Sequence, residues 1–292
     1  MPWTVIVNPA AGRGRTRRLL PDLTRAFAEL PDDVIVEVSS APGEPRRLAL
    51  EAAAADRDLV ACGGDGVVSE VAGVAADHGR TLAIVPTGAG NDFARVLGYD
   101  TKKPLDTIGT ILKGQDRVVD LGRVNDRWYT CVTASGFDAE ANRWANTVTH
   151  LSGTALYVAA VFRTLARYRP HPFRITVDGT TVETKAWLVA VGNGPAYAGG
   201  MRITPDARLD DALLDVTVVG PLSRIGFLRA FPSVFEGTHV SHRAVSTYRG
   251  TRITIASLDA GVPMEIYADG ERVGPLPATL EARSAALTVR VP

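Results

Sequence analysis

The sequence predicts an α/β chain in two domains: an α/β domain over residues 1–122 and a β-rich, sandwich-like domain over residues 123–292. Three observations carry this. In the first part, apolar runs alternate with segments of helical periodicity, the pattern of a parallel sheet with helices on both faces. Two of those runs stop at glycine turns that open a helix: Leu59-Val60-Ala61-Cys62 at Gly63-Gly64-Asp65-Gly66, and Leu82-Ala83-Ile84-Val85-Pro86 at Gly88-Ala89-Gly90-Asn91-Asp92. After Gly122 the texture changes to short alternating runs between turn signals. The first domain therefore reads as Rossmann-like.

In order, Trp3-Thr4-Val5-Ile6-Val7 is a buried strand ended by Asn8-Pro9-Ala10-Ala11-Gly12. Arg13, Arg15, Arg17 and Arg18 follow within one or two helical turns. A helix runs from about Thr16 to Leu30, before Pro31, and Val34–Val38 is the next strand. Pro45–Ala55 is an Ala- and Arg-rich helix leading into the strand at Leu59. Val67, Val68, Val71, Val74 and Ala75 mark the following helix by their near-helical spacing, and another helix starts at Phe93. Thr101–Gly114 reads as a linker with a short helix. In the second domain Trp128–Ala134 reads as one strand. Leu151–Arg167 reads as a helix with apolar positions at Leu156, Val158, Ala159, Phe162 and Leu165, facing the core or, alternatively, covering an apolar cleft. Phe173, Ile175 and Val177 alternate up to Asp178-Gly179, a hairpin signal, and Val182–Val191 returns. Arg252–Ala256 and Met264–Ala268 are further β segments, the latter entering Asp269-Gly270-Glu271.

Composition narrows the function classes. A chain of 292 residues, 46% hydrophobic and 22% charged, is an ordinary globular protein with room for a sizeable core. The formal net charge of +0 supplies no global field toward nucleic acid or an anionic membrane. Cys62 and Cys131 sit in apolar runs and read as buried free thiols, with neither disulfide framework nor zinc spacing. No apolar run approaches the ~18 residues of a membrane span, and no signal peptide precedes Trp3. The expected location is cytoplasmic. His239 and His242 read as loop and surface residues.

The glycine turns point to phosphate. Glycine lets backbone approach a ligand closely, and the N–H groups and dipole of the following helix attract anions. An aspartate among such donors needs a cation, and Mg²⁺ is the usual companion of a nucleoside triphosphate. The loops after Val7, Cys62 and Pro86 all lie at strand carboxyl ends, where ligands of open α/β sheets bind.

These motifs also carry a family resemblance. Gly63-Gly64-Asp65-Gly66 resembles the GGDGT signature shared by lipid kinases, NAD kinases and phosphofructokinases. Pro86-Thr87-Gly88-Ala89-Gly90-Asn91-Asp92-Phe93-Ala94-Arg95 resembles the PxGTxNDFAR segment of soluble, bacterial-type diacylglycerol kinases and their sphingosine and ceramide kinase relatives. Val67 and Ala89 stand where the family has threonines, and each substitution removes a hydroxyl. Asn8, Pro9, Ala10, Ala11 and Gly12 resemble the family's NPxSG motif.

The resemblance implies ATP contacts at those five residues, at Ser39, at Gly63, Gly64, Asp65, Gly66, Val67, Val68 and Ser69, and at Gly88, Asn91 and Asp92. Asp120, in Val119-Asp120-Leu121-Gly122, would join Asp65 and Asp92 in a water-mediated Mg²⁺ network. Gly136-Phe137-Asp138-Ala139 resembles a turn facing the cleft. Pro205-Asp206-Ala207-Arg208-Leu209-Asp210-Asp211-Ala212-Leu213-Leu214-Asp215 resembles PDAxxDDGxLD, where a structural Mg²⁺ takes one carboxylate, here Asp211, and the carbonyls of Arg208 and Leu213. Ala212 replaces the family's glycine, which strains the backbone if that position needs φ > 0. Asp269 would be the general base, with Glu271 orienting it or tuning its charge.

The implied activity is ATP-dependent phosphorylation of a lipid hydroxyl, diacylglycerol first, in a cleft between the domains. The enzyme would dock transiently at the inner membrane surface without spanning it, and a homodimer is left open. Alternatives are a sphingoid, ceramide or other hydroxylated acceptor, and a nucleotide-binding but silent relative. A dinucleotide oxidoreductase is disfavoured: Gly63-Gly64-Asp65-Gly66 is not GxGxxG, and no acidic residue follows about twenty residues on.

Overall fold

A computed structural model describes the chain except Met1, Asp32, Asn146, residues 149–152 and Ala260, and describes residues 153–158 by backbone only. Its residues fall into two compact units: 1–121 with 209–211 and 283–292, and 122–208 with 212–282.

The first unit alternates strand and helix: β1 (Trp3–Val7), α1 (Ala11–Ala28), β2 (Val34–Val38), α2 (Glu44–Ala54), β3 (Asp58–Gly63), α3 (Asp65–His78), β4 (Thr81–Pro86) and α4 (Asp92–Val96). A 3₁₀ turn (Asp106–Gly109) and α5 (Thr110–Lys113) lead to β5 (Gln115–Val124). The sheet runs β2-β1-β3-β4 with all strands parallel. Trp3, Val5, Val7, Val60, Cys62, Ala83 and Val85 pack with Leu23 and Phe27 of α1 on one face. α2 and α3 pack on β1, β3 and β4 from the other face. Buried parallel strands with helices on both faces explain why these runs are apolar at nearly every position.

The second unit contains β6 (Arg127–Tyr129), β7 (Val132–Gly136), α6 (Phe137–Ala145), α7 (Gly153–Arg167), β8 (His171–Val177), β9 (Thr180–Ala186), β10 (Leu188–Gly192) and β11 (Leu214–Val219). α8 (Arg224–Ala230), α9 (Ser233–Glu236), β12 (Val245–Gly250), β13 (Arg252–Ser257), β14 (Glu265–Ala268), β15 (Glu271–Pro275) and β16 (Ala278–Val291) follow. One antiparallel sheet is ordered β12-β11-β10-β7-β14-β15. In the other, β9, β8, β13 and the first part of β16 pair antiparallel. Residues two apart on each sheet, such as Phe173 and Ile175, Ile253 and Ile255, Val189 and Val191, Val216 and Val218, share one core. That is a β-sandwich.

Several expectations are corrected. The domain division stays an expectation; by contacts residues 283–292 group with the first unit, because Thr288 and Val289 of β16 pair in parallel with Thr81 and Leu82 of β4. The strand read over Trp128–Ala134 is two strands, broken at Thr130-Cys131. The basic run does not begin on a regular helix: Gly12, Arg13 and Gly14 are left-handed, at φ +57, +55 and +79. On α7, Ala160, Val161 and Leu165 are buried, but Phe162 is 55% exposed, so the apolar stripe is rotated from the expected one. The Leu151 start, and the side chains of Leu156 and Val158, lie outside the described residues. His239 is buried rather than on the surface. Cys62 and Cys131 are free and buried, as expected.

Candidate active site

Sheet register brings the loops of the first unit together. Val38, Val7, Cys62 and Val85 lie in one row across β2, β1, β3 and β4. The loops that leave these strands therefore start side by side at one sheet edge. Asn8 continues the row, its N–H donating to the Cys62 carbonyl at 3.0 Å. Its side-chain oxygen accepts the Ala10 N–H at 2.9 Å, and the chain then makes its left-handed turn at Gly12-Arg13-Gly14. Successive amides in turns of this kind form anion-binding concavities. Gly12 is required there twice over: its φ is +57, and a Cβ would lie 2.5 Å from the Thr87 carbonyl oxygen. Thr16 and Thr87, both fully buried, bond hydroxyl to hydroxyl at 2.6 Å and tie this loop to the one after β4.

The two central glycine loops touch backbone to backbone. A Cβ on Gly88 would lie 2.3 Å from the Gly64 Cα. Asp65, in the first turn of α3, accepts the Asn91 N–H on one carboxylate oxygen at 2.8 Å and the Asp92 N–H on the other at 2.6 Å. Asp92 is 5% exposed and pairs with Arg95 at 2.6 Å; Arg95 also donates to the Gly90 carbonyl at 2.8 Å. Asp120 is 3% exposed, its N–H donating to the Leu209 carbonyl at 2.7 Å and its carboxylate accepting the Ala285 N–H at 2.8 Å. The Asn91 side-chain amide donates to the Gly88 carbonyl, while its buried oxygen has no partner among the described residues.

The donor set fits Mg²⁺ held through water. Hard carboxylate oxygens surround the loops, and the unpaired Asn91 oxygen suits a donor such as a bound water. Among the described residues no three His, Cys, Asp or Glu side chains cluster as direct ligands.

Some expected ATP contacts change character. Ser39 is 4% exposed and its hydroxyl donates to the Val7 carbonyl at 3.1 Å, so that proton is already used. Val68 is 2% exposed and its N–H donates to the Gly64 carbonyl, leaving no donor for phosphate. Val67 and Ser69 are buried too; Val67 packs under Gly63, where a Cβ would meet it at 3.0 Å. These side chains are packed against the loop.

In the acidic loop, Asp210 pairs with Arg117 at 3.1 Å. Ala212 has φ +60, the left-handed conformation foreseen for the missing glycine.

The second unit carries candidate residues of its own. Asp269 (φ +48) and Gly270 (φ +84) form the turn between β14 and β15. The Asp269 carboxylate accepts four hydrogen bonds: Thr130 N–H at 2.7 Å and Thr130 hydroxyl at 3.0 Å on one oxygen, Cys131 N–H at 2.9 Å and Val132 N–H at 3.2 Å on the other. This explains the break between β6 and β7, since those amides serve Asp269 instead of a ladder. On the opposite side the break is closed by Asn193, which donates its side-chain amide to the Thr130 carbonyl at 2.9 Å and its N–H to the Cys131 carbonyl at 2.8 Å. Thr130 carried no sequence signal, because its partner lies 139 residues away. Asp178-Gly179 has the same geometry: Asp178, at φ +45, accepts the Thr251 N–H and hydroxyl and the Arg252 N–H. Glu271 is exposed at the start of β15.

Two cavities flank these elements. One, apolar, encloses about 50 Å³ between Phe137, Leu188, Met201, Phe227, Phe231 and Val234, with Asp138 and His239 also in its wall. The buried Asp138 carboxylate accepts the Tyr197 hydroxyl at 2.8 Å. The other, about 540 Å³, is lined by Tyr267, Glu140, Arg143, Glu265 and Arg272. Its arginines are matched internally, Arg143 with Glu140 and Arg272 with Glu265, so it offers no surplus charge to an anion.

A doubly wound unit with a row of glycine loops, joined in sequence to a β-sandwich, defines the class of two-part nucleotide-dependent kinases. The family model of the diacylglycerol kinase catalytic domain matches residues 2–124. The model of the YegS C-terminal NAD kinase beta sandwich-like domain matches residues 131–291. A Mycobacterium tuberculosis protein named diacylglycerol kinase is 36% identical over 296 residues, covering 99% of this chain and 94% of its own. A Bacillus subtilis protein of the same name is 26% identical, covering 94% and 90%. The crystal structure of a diacylglycerol kinase from Bacillus anthracis superposes with a TM-score of 0.78 at 26% identity, covering 100% of this chain and 97% of that one. The chain belongs to the bacterial-type soluble lipid kinase family, that of the diacylglycerol kinases. Among the described residues no helix is long and apolar enough to cross a membrane.

Proposed function

We propose that the protein transfers the γ-phosphate of ATP to the hydroxyl of diacylglycerol, giving phosphatidic acid and ADP. The observation that carries this reading is the Asp65 brace across two glycine loops, which holds the first-turn amides of α3 and the Gly88–Asp92 backbone together at one sheet edge. Phosphates would lie on these amides and on the turn at Gly12. Asp65, Asp92 and Asp120 would hold Mg²⁺ through water, and the ion supplies neutralisation of charge on the transferred group. The structural Mg²⁺ at Asp211 and the carbonyls of Arg208 and Leu213 remains part of this proposal.

Phosphoryl transfer asks the protein mainly for positioning and charge balance. The acceptor oxygen bonds to the γ-phosphorus, the bond to the ADP oxygen breaks, and the hydroxyl proton goes to a carboxylate. For Asp269 to take it, one of its four hydrogen bonds must yield. The Thr130 hydroxyl is the one donor that can rotate away, so a substrate hydroxyl would take its place on that oxygen. The acyl chains require apolar surface, and the apolar wall of the cavity in the second unit offers it once that cavity widens. Acting on such a lipid places the enzyme transiently at a membrane surface.

A second reading has its own support. The Asp178 turn holds a comparable set, three donors against the four on Asp269, without any role in the site, which favours Asp269 as a clasp and Glu271 as the proton acceptor.

The test is γ-labelled ATP with Mg²⁺ on mixed micelles carrying diacylglycerol, sphingosine or ceramide, using wild type, Asp269→Asn, Thr130→Val and Glu271→Gln. Label in diacylglycerol, lost in Asp269→Asn and retained in Thr130→Val, supports Asp269. Loss in Glu271→Gln alone transfers the base to Glu271. Label only in another lipid changes the acceptor, and none in any lipid with ATP binding intact overturns the kinase reading. Asp269→Asn presents an NH₂ group to backbone donors, so a thermal melt must accompany it.

A further inference from the structure

The apolar cavity is walled on one side by an excursion of the chain that carries apolar residues on its outer as well as its inner face. It begins and ends where the Gly220 N–H donates to the Ala244 carbonyl at 2.7 Å, and it contains α8 and α9. Ser223 caps α8, its hydroxyl accepting the Gly226 N–H at 3.0 Å. The inner face puts Phe227, Phe231 and Val234 into the cavity wall. A cover of this kind should turn polar residues outward. Instead Ile225 is 64% exposed, more than any other large hydrophobic residue described, and Phe235 is 47% exposed.

Charge on this excursion is one-sided. It carries Arg224, Arg229 and Arg243 against Glu236 alone, in a chain whose formal net charge is +0. All three arginines are exposed. Exposed apolar side chains interspersed with arginines fit an anionic bilayer, in which the apolar groups enter the headgroup boundary and the guanidinium groups meet lipid phosphates. An aqueous protein partner would have to match two separate exposed apolar side chains within a positive field.

The cavity beneath is too small for its proposed use. About 50 Å³ accommodates only roughly three to five water-sized groups, so a full acyl chain enters only if the inner side chains of the cover withdraw. Transfer of Ile225 and Phe235 into a bilayer favours that withdrawal.

We propose that the Gly220–Ala244 excursion is the surface by which the protein docks on an anionic membrane, through Ile225, Phe235, Arg229 and Arg243, and that docking opens the cavity to an acyl chain. This rests on the lipid-kinase reading for its purpose but is tested without catalysis.

The experiment is co-sedimentation with phosphatidylglycerol–phosphatidylcholine vesicles containing neither diacylglycerol nor ATP, on variants shown folded by their thermal melts. Ile225→Ser/Phe235→Ser should weaken binding at least tenfold. Arg229→Gln/Arg243→Gln should weaken it about tenfold or more on anionic vesicles, with a shallower salt dependence. Both double variants should keep wild-type turnover on short-chain dioctanoylglycerol in nonionic micelles. Wild type failing to bind anionic vesicles, or Ile225→Ser/Phe235→Ser binding as wild type does, overturns the docking proposal. Vesicle binding that follows these residues, without phosphorylation of any lipid, leaves the docking surface standing and removes the kinase reading instead.

Discussion

The carboxylate of Asp65 and the backbone N–H of Asp92 lie 2.6 Å apart. With the second bond to Asn91, at 2.8 Å, this makes Asp65 the tie between two loops that are 26 and 27 residues away in sequence. Asp65→Asn keeps the size but offers one acceptor where two are used. A lost hydrogen bond to a charged group costs about 1.5–3 kcal/mol. The urea midpoint should fall accordingly at unchanged slope, and ATP affinity should drop with it. An unshifted midpoint would show that the loops hold without the tie.

Gly88→Ala tests the backbone contact behind that tie. The added methyl would sit 2.3 Å from the Gly64 Cα and 2.8 Å from the Asn91 side-chain oxygen, so the loops must part. Overpacking of this kind costs about 1–3 kcal/mol. Gly64→Ala meets only the Gly88 Cα, at 3.2 Å, and should be milder. Isothermal titration with ATP and a denaturant melt should rank Gly88→Ala below Gly64→Ala, and both below wild type.

His239 makes stability depend on pH. Burial lowers its pKa from the ordinary 6.5, opposed by the Ile203 and Ser233 carbonyls. The unfolded chain therefore takes up the proton first. The stabilisation from the neutral ring is fully present above about pH 6.5 and declines as pH falls toward the folded-state pKa, by at most about 1.4 kcal/mol per unit. Urea unfolding of wild type and His239→Gln at several pH values from 8 to 5.5 should show a steeper acid loss in wild type. Parallel curves would remove His239 as the cause.

Ala212→Gly should stabilise the chain. Alanine at φ +60 carries left-handed strain of about 1–2 kcal/mol, reduced in net effect by the greater freedom of glycine when unfolded. A rise in melting temperature of a few degrees is expected; a fall would mean that the Ala212 methyl makes contacts worth more than the strain.

Much of this was legible in the residues themselves. The Leu59–Cys62 and Leu82–Pro86 runs are apolar at nearly every position because they are parallel strands covered on both faces, and a run ending in glycines announces its own turn. Ala212 announced its strain by standing where the motif has glycine. Thr130 was illegible, because a hydroxyl that matters through a partner 139 residues away leaves no local pattern. His239 misled for the same reason: a polar residue beside Gly237 and Thr238 looks exposed until a cavity closes over it. Phe162 misled because an apolar residue in an amphipathic segment is taken as core by default.

The sequence by itself determined the order of strands and helices, the glycine turns at strand ends, the resemblance to the lipid kinases and the acidic residues worth attention. Local propensity, periodicity and turn chemistry are properties of neighbouring residues, and they survive in the linear chain. Tertiary structure alone decided that Asp65 braces the second loop, that Ser39 and Val68 spend their donors on Val7 and Gly64, that Asp269 is held by four donors, and that residues 283–292 return to the first unit. Each of these is a pairing across long sequence separation. It exists because a buried polar group must find a partner and a strand edge must find a neighbour, and the chain's order does not say which ones come within reach.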